Sequence, residues 1–320
     1  ALILKSILCL LFCTIVVISF GKVFGEENNV VGVVTVISLL NFRFSNLDFK
    51  VRQAALTIVG IFGVLSISPY IASISNPFLG FIINFISIIG ILILTCHNVR
   101  LCNHSILVLS YFLLYGYKVE NTEILINRII GLIFGGILVA SIFYIKQRKI
   151  EFKNTFIDII NDVDFNTERT KWQLKFAFVT TSAIMIGEFL HIPRAMWIGI
   201  ACMSVFHPDK SQLQIRYKQR MLYMVLGCLM YMSIYFLIPQ QFRGLIGLIG
   251  GVMIGFSGTY KWQTVFNAFG ALSAATPILG VGGAIIFRIL NNVFGALYSK
   301  GFDYIINFID NKEFANVNEA

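Results

Sequence analysis

Two arginines lie inside long apolar segments, and each begins the same kind of eight-residue run. Arg128 opens the run RIIGLIFG, and Arg288 opens the run RILNNVFG 160 positions later. In both runs a Phe follows six residues after the arginine and a Gly follows seven residues after it. Placing an arginine side chain in lipid costs free energy. Such a residue therefore serves a function, or its guanidinium group reaches the membrane surface. Facing an interior cavity, the two guanidinium groups would favour anions and suit two-pronged binding of a carboxylate.

Amide and indole side chains accompany the two arginines. Asn127 directly precedes Arg128, and Asn291 follows Arg288 by three residues. Trp197 opens another apolar segment and offers a flat ring for the apolar body of a ligand. We therefore predict that Arg128, Arg288, Trp197, Asn127 and Asn291 bind a substrate. Amides in membrane helices also join neighbouring helices, so helix contact is the alternative role of the two asparagines.

Three further arginines stand near the ends of apolar segments. Arg52 precedes a segment of the first half, and Arg216 and Arg220 stand one helical turn apart before a segment of the second half. Positive charge at a membrane face raises the local concentration of anions. We predict that these three arginines attract the anion from the cytoplasmic side.

The composition indicates a membrane protein. The 320 residues are 57% hydrophobic and 13% charged, with a mean hydropathy of +0.79, whereas about a quarter of the residues of a soluble domain are charged. The apolar segments recur along the whole length and are continuous, so alternating β-barrel strands are excluded. The net charge of +9 reflects basic loops, and no nucleic-acid partner is expected.

Each half of the chain holds six apolar segments, and a spanning helix needs about 20 apolar residues. We predict an all-α integral membrane protein with about 12 transmembrane helices in two parallel six-helix repeats. A first repeat would cover 1–145, a cytoplasmic amphipathic linker 146–171, and a second repeat 172–320. The predicted spans are 2–24, 29–42, 51–71, 78–96, 104–117 and 124–145, then 172–190, 193–207, 218–238, 242–257, 261–277 and 281–300.

Basic residues are distributed unequally between the two sides of these spans. With twelve spans, most of the 25 Lys and Arg residues fall on the side of the termini, and only Lys22, Lys118, Arg194 and Arg243 fall on the opposite side. Cytoplasmic loops of membrane proteins are enriched in Lys and Arg. We therefore expect both termini in the cytoplasm.

The second span of each half is short. Segments 29–42 and 193–207 provide only about 20 Å of helix, less than the membrane core. Short segments at matching positions of two repeats mark the translocation site in many transporters. The alternative is a short helix shielded by its neighbours.

The linker carries apolar residues at helical spacing. Phe152, Phe156, Ile159, Ile160 and Val163 alternate with Lys and Asp, which predicts an amphipathic helix on the membrane surface. A solvated connector is the alternative.

The sequence lacks the motifs of several enzyme classes. It contains no GxxxxGK[ST] phosphate loop, no HExxH zinc motif and no GxSxG nucleophile motif. The six cysteines show no CxxC spacing and are interpreted as apolar packing residues. We predict no enzymatic activity, no catalytic residues, no cofactor and no metal.

The second half resembles a known family. Its run from Trp197 to Pro208 (WIGIACMSVFHP) is followed by Arg216-x-x-x-Arg220-x-x-Tyr223-Met224-x-x-Gly227, and then by the run that Arg288 opens. This pattern resembles the fusaric acid resistance and aromatic acid exporter superfamily, to which plant aluminium-activated malate transporters look related. Tyr223 and Met224 stand where the family has Gly-Thr, and the first half matches only weakly.

The resemblance implies a transporter. We expect export of organic anions, including aromatic carboxylic acids, across the bacterial inner membrane, by a multi-pass protein that forms a homodimer. An anion channel and a non-transporting component of a larger membrane assembly are the alternatives.

Overall fold

The computed structural model describes residues 2–318, and this part of the chain is helical throughout. Helix accounts for 83% of the protein, and the described residues contain no strand. The helices are α1 (Leu2–Phe24), α2 (Asn29–Phe42), α3 (Val51–Ile74), α4 (Pro77–Thr95), α5 (His104–Gly116), α6 (Thr122–Gln147), α7 (Phe156–Asn161), α8 (Glu168–Phe189), α9 (Met196–Val205), α10 (Lys210–Leu237), α11 (Leu245–Phe256) and α12 (Tyr260–Asn318).

Local sequence signals set several of the helix starts. The Asn76 side chain accepts a hydrogen bond from the Leu79 backbone N–H, and Pro77 occupies the first helical position of α4. Asn121 caps α6 in the same way through Ile124 N–H. Such caps satisfy backbone donors that a helix leaves open at its N-terminus.

The helix α12 is broken at Gly280. This glycine has φ +68° and ψ 167°, which interrupts the helical backbone, and glycine adopts such angles without a steric penalty. We call the segments on either side α12a (260–279) and α12b (281–318). With 20 residues, α12a alone is about 30 Å long, which matches a membrane core.

Among the described residues, six helices are long and apolar enough to cross a membrane: Ile7–Phe24 of α1, α3, α4, α6, Ser211–Leu237 of α10, and Tyr260–Ile306 of α12. The helices α5, α9 and α11 are apolar but shorter. The chain is therefore a multi-pass helical membrane protein. The predicted arrangement of twelve spans in two repeats stays a prediction.

Two of the predicted short spans are short helices. The helix α2 has 14 residues and α9 has only 10, so they are about 21 and 15 Å long. Buried polar side chains support the backbone after α2: Asn103 donates to the carbonyl oxygens of Asn46 (2.9 Å) and Thr95 (3.0 Å). Non-helical backbone persists at membrane depth only where protein or water satisfies it in this way.

The chain divides into two compact units. The first unit comprises residues 8–185, and the second comprises the chain from Ile186 together with the start of α1. Most of α8 thus belongs to the first unit, where Gln173 donates to the carbonyl oxygens of Leu92 and Cys96, both at 3.2 Å. The predicted division into repeats at 1–145 and 172–320 does not coincide with these units and stays a prediction.

The linker contains less helix than predicted. α6 ends at Gln147, and between it and α8 only the six residues of α7 are helical. Thr155 and Asp158 form a capping box that starts α7, while the preceding segment is held extended because Lys50 N–H donates to the Asn154 carbonyl oxygen at 2.9 Å. Ile159 of α7 is buried, and Ile157 and Ile160 are exposed. The amphipathic helix predicted for the linker is therefore limited to the six residues of α7.

Candidate functional site

Arg128 lies inside the first unit and has local hydrogen-bond partners. Its side chain on α6 is only 3% exposed. Its Nε donates to the Asn28 side-chain oxygen at 3.0 Å, and its Nη1 donates to the Tyr117 carbonyl oxygen. The Asn28 amide nitrogen in turn donates to the carbonyl oxygens of Phe24 (2.9 Å) and Ile124 (3.1 Å). This network joins the start of α2 to α6 and to the loop after α5.

Arg288 lies inside the second unit in a different environment. It is 1% exposed on α12b. Its guanidinium carbon lies over the ring of Trp197, 4.8 Å from the centroid. Trp197 is itself buried near the start of α9. The burial of Arg128 and Arg288 places neither side chain on the lipid-facing surface of its helix.

A second buried arginine, Arg220 of α10, adjoins the Arg288 helix. It is 2% exposed, and its Nε donates to the Asn292 side-chain oxygen at 2.9 Å. The Asn292 amide nitrogen donates to the Arg288 carbonyl oxygen at 2.7 Å. Asn292 therefore connects the two arginines. Arg220 Nη2 is buried and has no hydrogen-bond partner among the described residues.

The local sequence supplies no negative charge to this cluster. No Asp or Glu occurs between Asp209 and Asp303, although this stretch contains α10, α11, α12a and the first half of α12b. Leaving a buried charged donor such as Arg220 Nη2 without an acceptor is costly. The cluster of Arg220, Arg288 and Asn292 with Trp197, called the arginine cluster below, is therefore suited to a negatively charged ligand.

The glycine of each eight-residue run lets the arginine helix approach a short helix. A Cβ atom on Gly295 would lie 2.5 Å from the Ile198 carbonyl oxygen of α9 and 2.8 Å from Ala201 Cβ. A Cβ atom on Gly135 would collide with the Thr35 hydroxyl of α2. The repeated glycine thus has the same packing role in both halves.

The two predicted asparagines have different surroundings. Asn291 is buried, and its amide nitrogen donates to the carbonyl oxygens of Pro193 (2.9 Å) and Arg194 (3.1 Å) just before α9. It thereby fixes the start of the helix that carries Trp197. Asn127 is half-buried, and no hydrogen bond of its side chain is found among the described residues.

The three arginines predicted at the cytoplasmic face are not equivalent. Arg216 lies over the Tyr260 ring at 5.1 Å and is partly exposed, whereas Arg220, one turn further along α10, is buried. Arg52 is exposed on α3 of the first unit. Arg220 is buried because it faces α12b, where the Asn292 side-chain oxygen accepts from its Nε. The cytoplasmic role of the three arginines stays a prediction.

Further cations lie over aromatic rings near Arg216. Lys261 lies 5.8 Å from the Tyr223 ring centroid, and Lys300 lies 4.5 Å from that of Tyr217. Such contacts favour retention of positive charge at a partly apolar surface.

Sequence reasoning did not assign Asn28 or Asn292 to the site, and it missed the burial of Arg220. Asn292 lies within the repeated run, four residues after Arg288. This spacing places the two residues on the same face of a helix and could have indicated their association. Asn28 precedes α2 and carried no comparable signal, because its partner Arg128 is 100 positions away.

The fold defines a multi-pass helical membrane protein. Residues 182–299 match the family model described as fusaric acid resistance protein-like. The match confirms the resemblance predicted from the second half, and it indicates membrane transport or efflux. No curated protein and no solved structure matches the chain. The relation to malate transporters stays a prediction.

Proposed function

We propose that the protein exports organic anions, including aromatic carboxylates, across the bacterial inner membrane. The observation that carries this proposal is the arginine cluster, in which Arg220 and Arg288 are both buried and Asn292 joins the Arg220 side chain to the Arg288 backbone. The surrounding stretch of sequence contains no acidic residue. A carboxylate would bring a negative charge to the cluster, and one of its oxygens would accept a hydrogen bond from the buried Nη2 of Arg220. Charge-assisted bonds of this kind are the strong ones in a buried site.

Trp197 and Asn291 fit supporting roles in this site. The Trp197 ring forms an apolar wall beside Arg288 and suits the flat body of an aromatic acid. Asn291 holds the start of α9 and thereby the position of Trp197. Arg216 would attract the anion near the start of α10, before it reaches Arg220.

Arg128 has a different role in this proposal from the one its repeat position predicts. Its Nε and Nη1 are already engaged by Asn28 and Tyr117. We assign Arg128 to bracing α2 against α6, with Arg288 and Arg220 binding the anion. The two halves would then be related repeats with different roles. The arginine of the first half would stabilise helix packing, and the arginines of the second half would bind the anion.

The direction of transport follows from the membrane potential. With both termini in the cytoplasm, an inside-negative potential drives an anion outward with about 2.3 kcal/mol per charge per 100 mV. The stretch from Lys210 to Phe302 contains no carboxyl group that would bind a coupling proton. We therefore propose transport driven by the potential or by exchange, in a fold of twelve spans.

Flux measurements in proteoliposomes test the proposal. Phthalate, an aromatic dicarboxylate, is the probe under an imposed inside-negative potential. We expect efflux from the wild type, and near-complete loss in Arg288→Ala and in Arg220→Ala. Arg243→Ala removes an arginine of the second unit that lies over Tyr235 outside the cluster, and it should retain flux.

The remaining outcomes separate the alternatives. Undiminished flux in both cluster variants, with folding confirmed by gel filtration, contradicts the assignment of the site. Large currents in planar bilayers that do not saturate with anion concentration favour a channel. Absence of flux for every tested anion, with one protein copurifying, favours a non-transporting component.

A further inference from the structure

A groove on the first unit joins a basic cavity to an apolar one. The basic cavity, of about 520 Å³, is lined by residues that include Lys50, Arg52 and Arg148. The apolar cavity, of about 460 Å³, runs between α3 and α6 and includes Leu56, Val59 and Ile137. Arg52 and Tyr144 line both cavities. The two spaces therefore meet and form one groove with a charged end and an apolar end.

The charged end has an excess of positive charge. Glu151 is the acidic residue of its lining, against three basic ones. None of the three ion pairs found among the described residues involves Lys50, Arg52 or Arg148. The lining also contains the first turn of α3, whose open N–H groups and positive dipole end add to the attraction of an anion. Asp158 lies near enough to Lys50 to feel its charge and compensates only part of the excess.

The apolar end lies on the exposed surface of two helices that are long and apolar enough to cross a membrane. Leu56 of α3 is 72% exposed and Ile137 of α6 is 51% exposed, and both helices have the length and hydropathy of spans. Arg148 directly follows the end of α6, and Lys50 directly precedes α3. The groove thus begins at the ends of two candidate spans and continues along their exposed apolar surface.

From this geometry we infer that the groove binds an anionic phospholipid. The phosphate lies among Lys50, Arg52 and Arg148, and the upper part of an acyl chain lies along Leu56, Val59 and Ile137. Basic pockets between spans on the cytoplasmic side bind anionic head groups, and each basic residue contributes about 1 kcal/mol. A small anion would fill only the basic end, whereas an amphiphile matches both ends.

Thermal-shift titration in detergent tests the inference without requiring transport. The probes are dihexanoyl phosphatidylglycerol, dihexanoyl phosphatidylcholine and glycerol phosphate. We expect only phosphatidylglycerol to raise the unfolding temperature. Its apparent affinity should fall by about five-fold for each basic residue removed, and hence by about 25-fold in the double variant Lys50→Gln/Arg148→Gln. Lys153→Gln, an exposed linker position outside the lining, is the matched control.

A second pair of variants tests the apolar end. Ile137→Trp fills the groove, whereas Ile130→Trp places the same bulk two turns away on the exposed face of α6, where Ile130 is equally exposed. We expect only Ile137→Trp to weaken binding of phosphatidylglycerol. An equal shift with glycerol phosphate assigns the basic end to free anions and overturns the lipid site. Equal affinities in the two tryptophan variants, or in the double variant and wild type, also overturn it.

Discussion

Arg220 and Asn292 meet inside the second unit, although 72 positions separate them in the chain. The Arg220 Nε group donates to the Asn292 side-chain oxygen at 2.9 Å, which fixes one edge of the guanidinium. Asn292 also donates to the Arg288 backbone. The neighbouring Nη2 of Arg220 is a buried donor that a bound carboxylate would satisfy.

A carboxylate introduced into the cluster should compete with the anion. Asn292→Asp places a negative charge beside Arg220 but removes the amide donor to the Arg288 carbonyl oxygen. We expect phthalate flux to be lost, because the new carboxylate occupies Arg220 in place of the anion. Buried charge pairs with good geometry offset part of their desolvation cost. Asn166→Asp introduces the same charge at an exposed position of the first unit and should leave flux intact. Normal flux in Asn292→Asp would show that the anion does not use Arg220.

The hydrogen bond from Arg128 to Asn28 predicts that removal of the Asn28 side chain lowers the stability of the protein. Asn28→Ala leaves the Arg128 Nε buried without an acceptor, so we expect a loss of about 2 kcal/mol in unfolding free energy. Thermal or denaturant unfolding of the purified protein measures the change. Asn29→Ala alters the exposed neighbouring asparagine and should have little effect. If the two variants are equally stable, the Asn28 contact is not a brace.

Trp197 should select aromatic over aliphatic anions. Trp197→Leu removes the ring beneath Arg288, and we expect aromatic carboxylates to bind about ten-fold more weakly. Aliphatic acids such as succinate should lose much less, because they gain little from stacking. Competition assays against phthalate flux give both affinities. A uniform loss for all acids would instead indicate that Trp197 acts through the fold alone, and Trp197→Phe should then fail to restore selectivity.

Close packing at Gly295 should control the position of α9. Gly295→Val would press against the Ile198 carbonyl oxygen and Ala201, and overpacking of this kind costs about 1–3 kcal/mol. We expect a lower unfolding temperature and reduced anion binding, because Trp197 moves with α9. Gly301→Ala is the control, since a Cβ atom there meets nothing within 4 Å. Wild-type stability and binding in Gly295→Val would refute the close contact.

Acid should destabilise the loop between α9 and α10. Burial and the positive charge of Arg216 hold the pKa of His207 below its usual value of 6.5, while Asp209 partly opposes them. Because the folded-state pKa is lowered, this contribution to stability is present above pH 6.5 and is lost as the pH falls through the folded-state pKa. We expect the unfolding temperature to fall between about pH 7.5 and pH 5, and less so in His207→Gln. His191→Asn, in a loop after α8, should retain the wild-type decrease.

The positions of most helices were predictable because they depend on local signals. The bounds of α2 were predicted to the residue, and those of α3, α4 and α5 to within three, since continuous apolar runs end at Asn, Pro and charged residues. The linker was less predictable. Its apolar spacing suited a long helix, but contacts of Asn154 and Phe156 with Lys50 and Gln53, about 100 positions away, keep much of it extended.

By itself, the sequence determined that the chain crosses a membrane, that two matched arginines lie within its apolar segments, and that few acids accompany them. These properties depend on composition and on spacing along one helix. Only the tertiary structure decided what each arginine meets: Arg128 is engaged by Asn28, whereas Arg288 lies over Trp197 and is linked to Arg220. These partners come from other helices, and hydrophobic spacing determines which helices form but not which polar side chains meet when the helices pack.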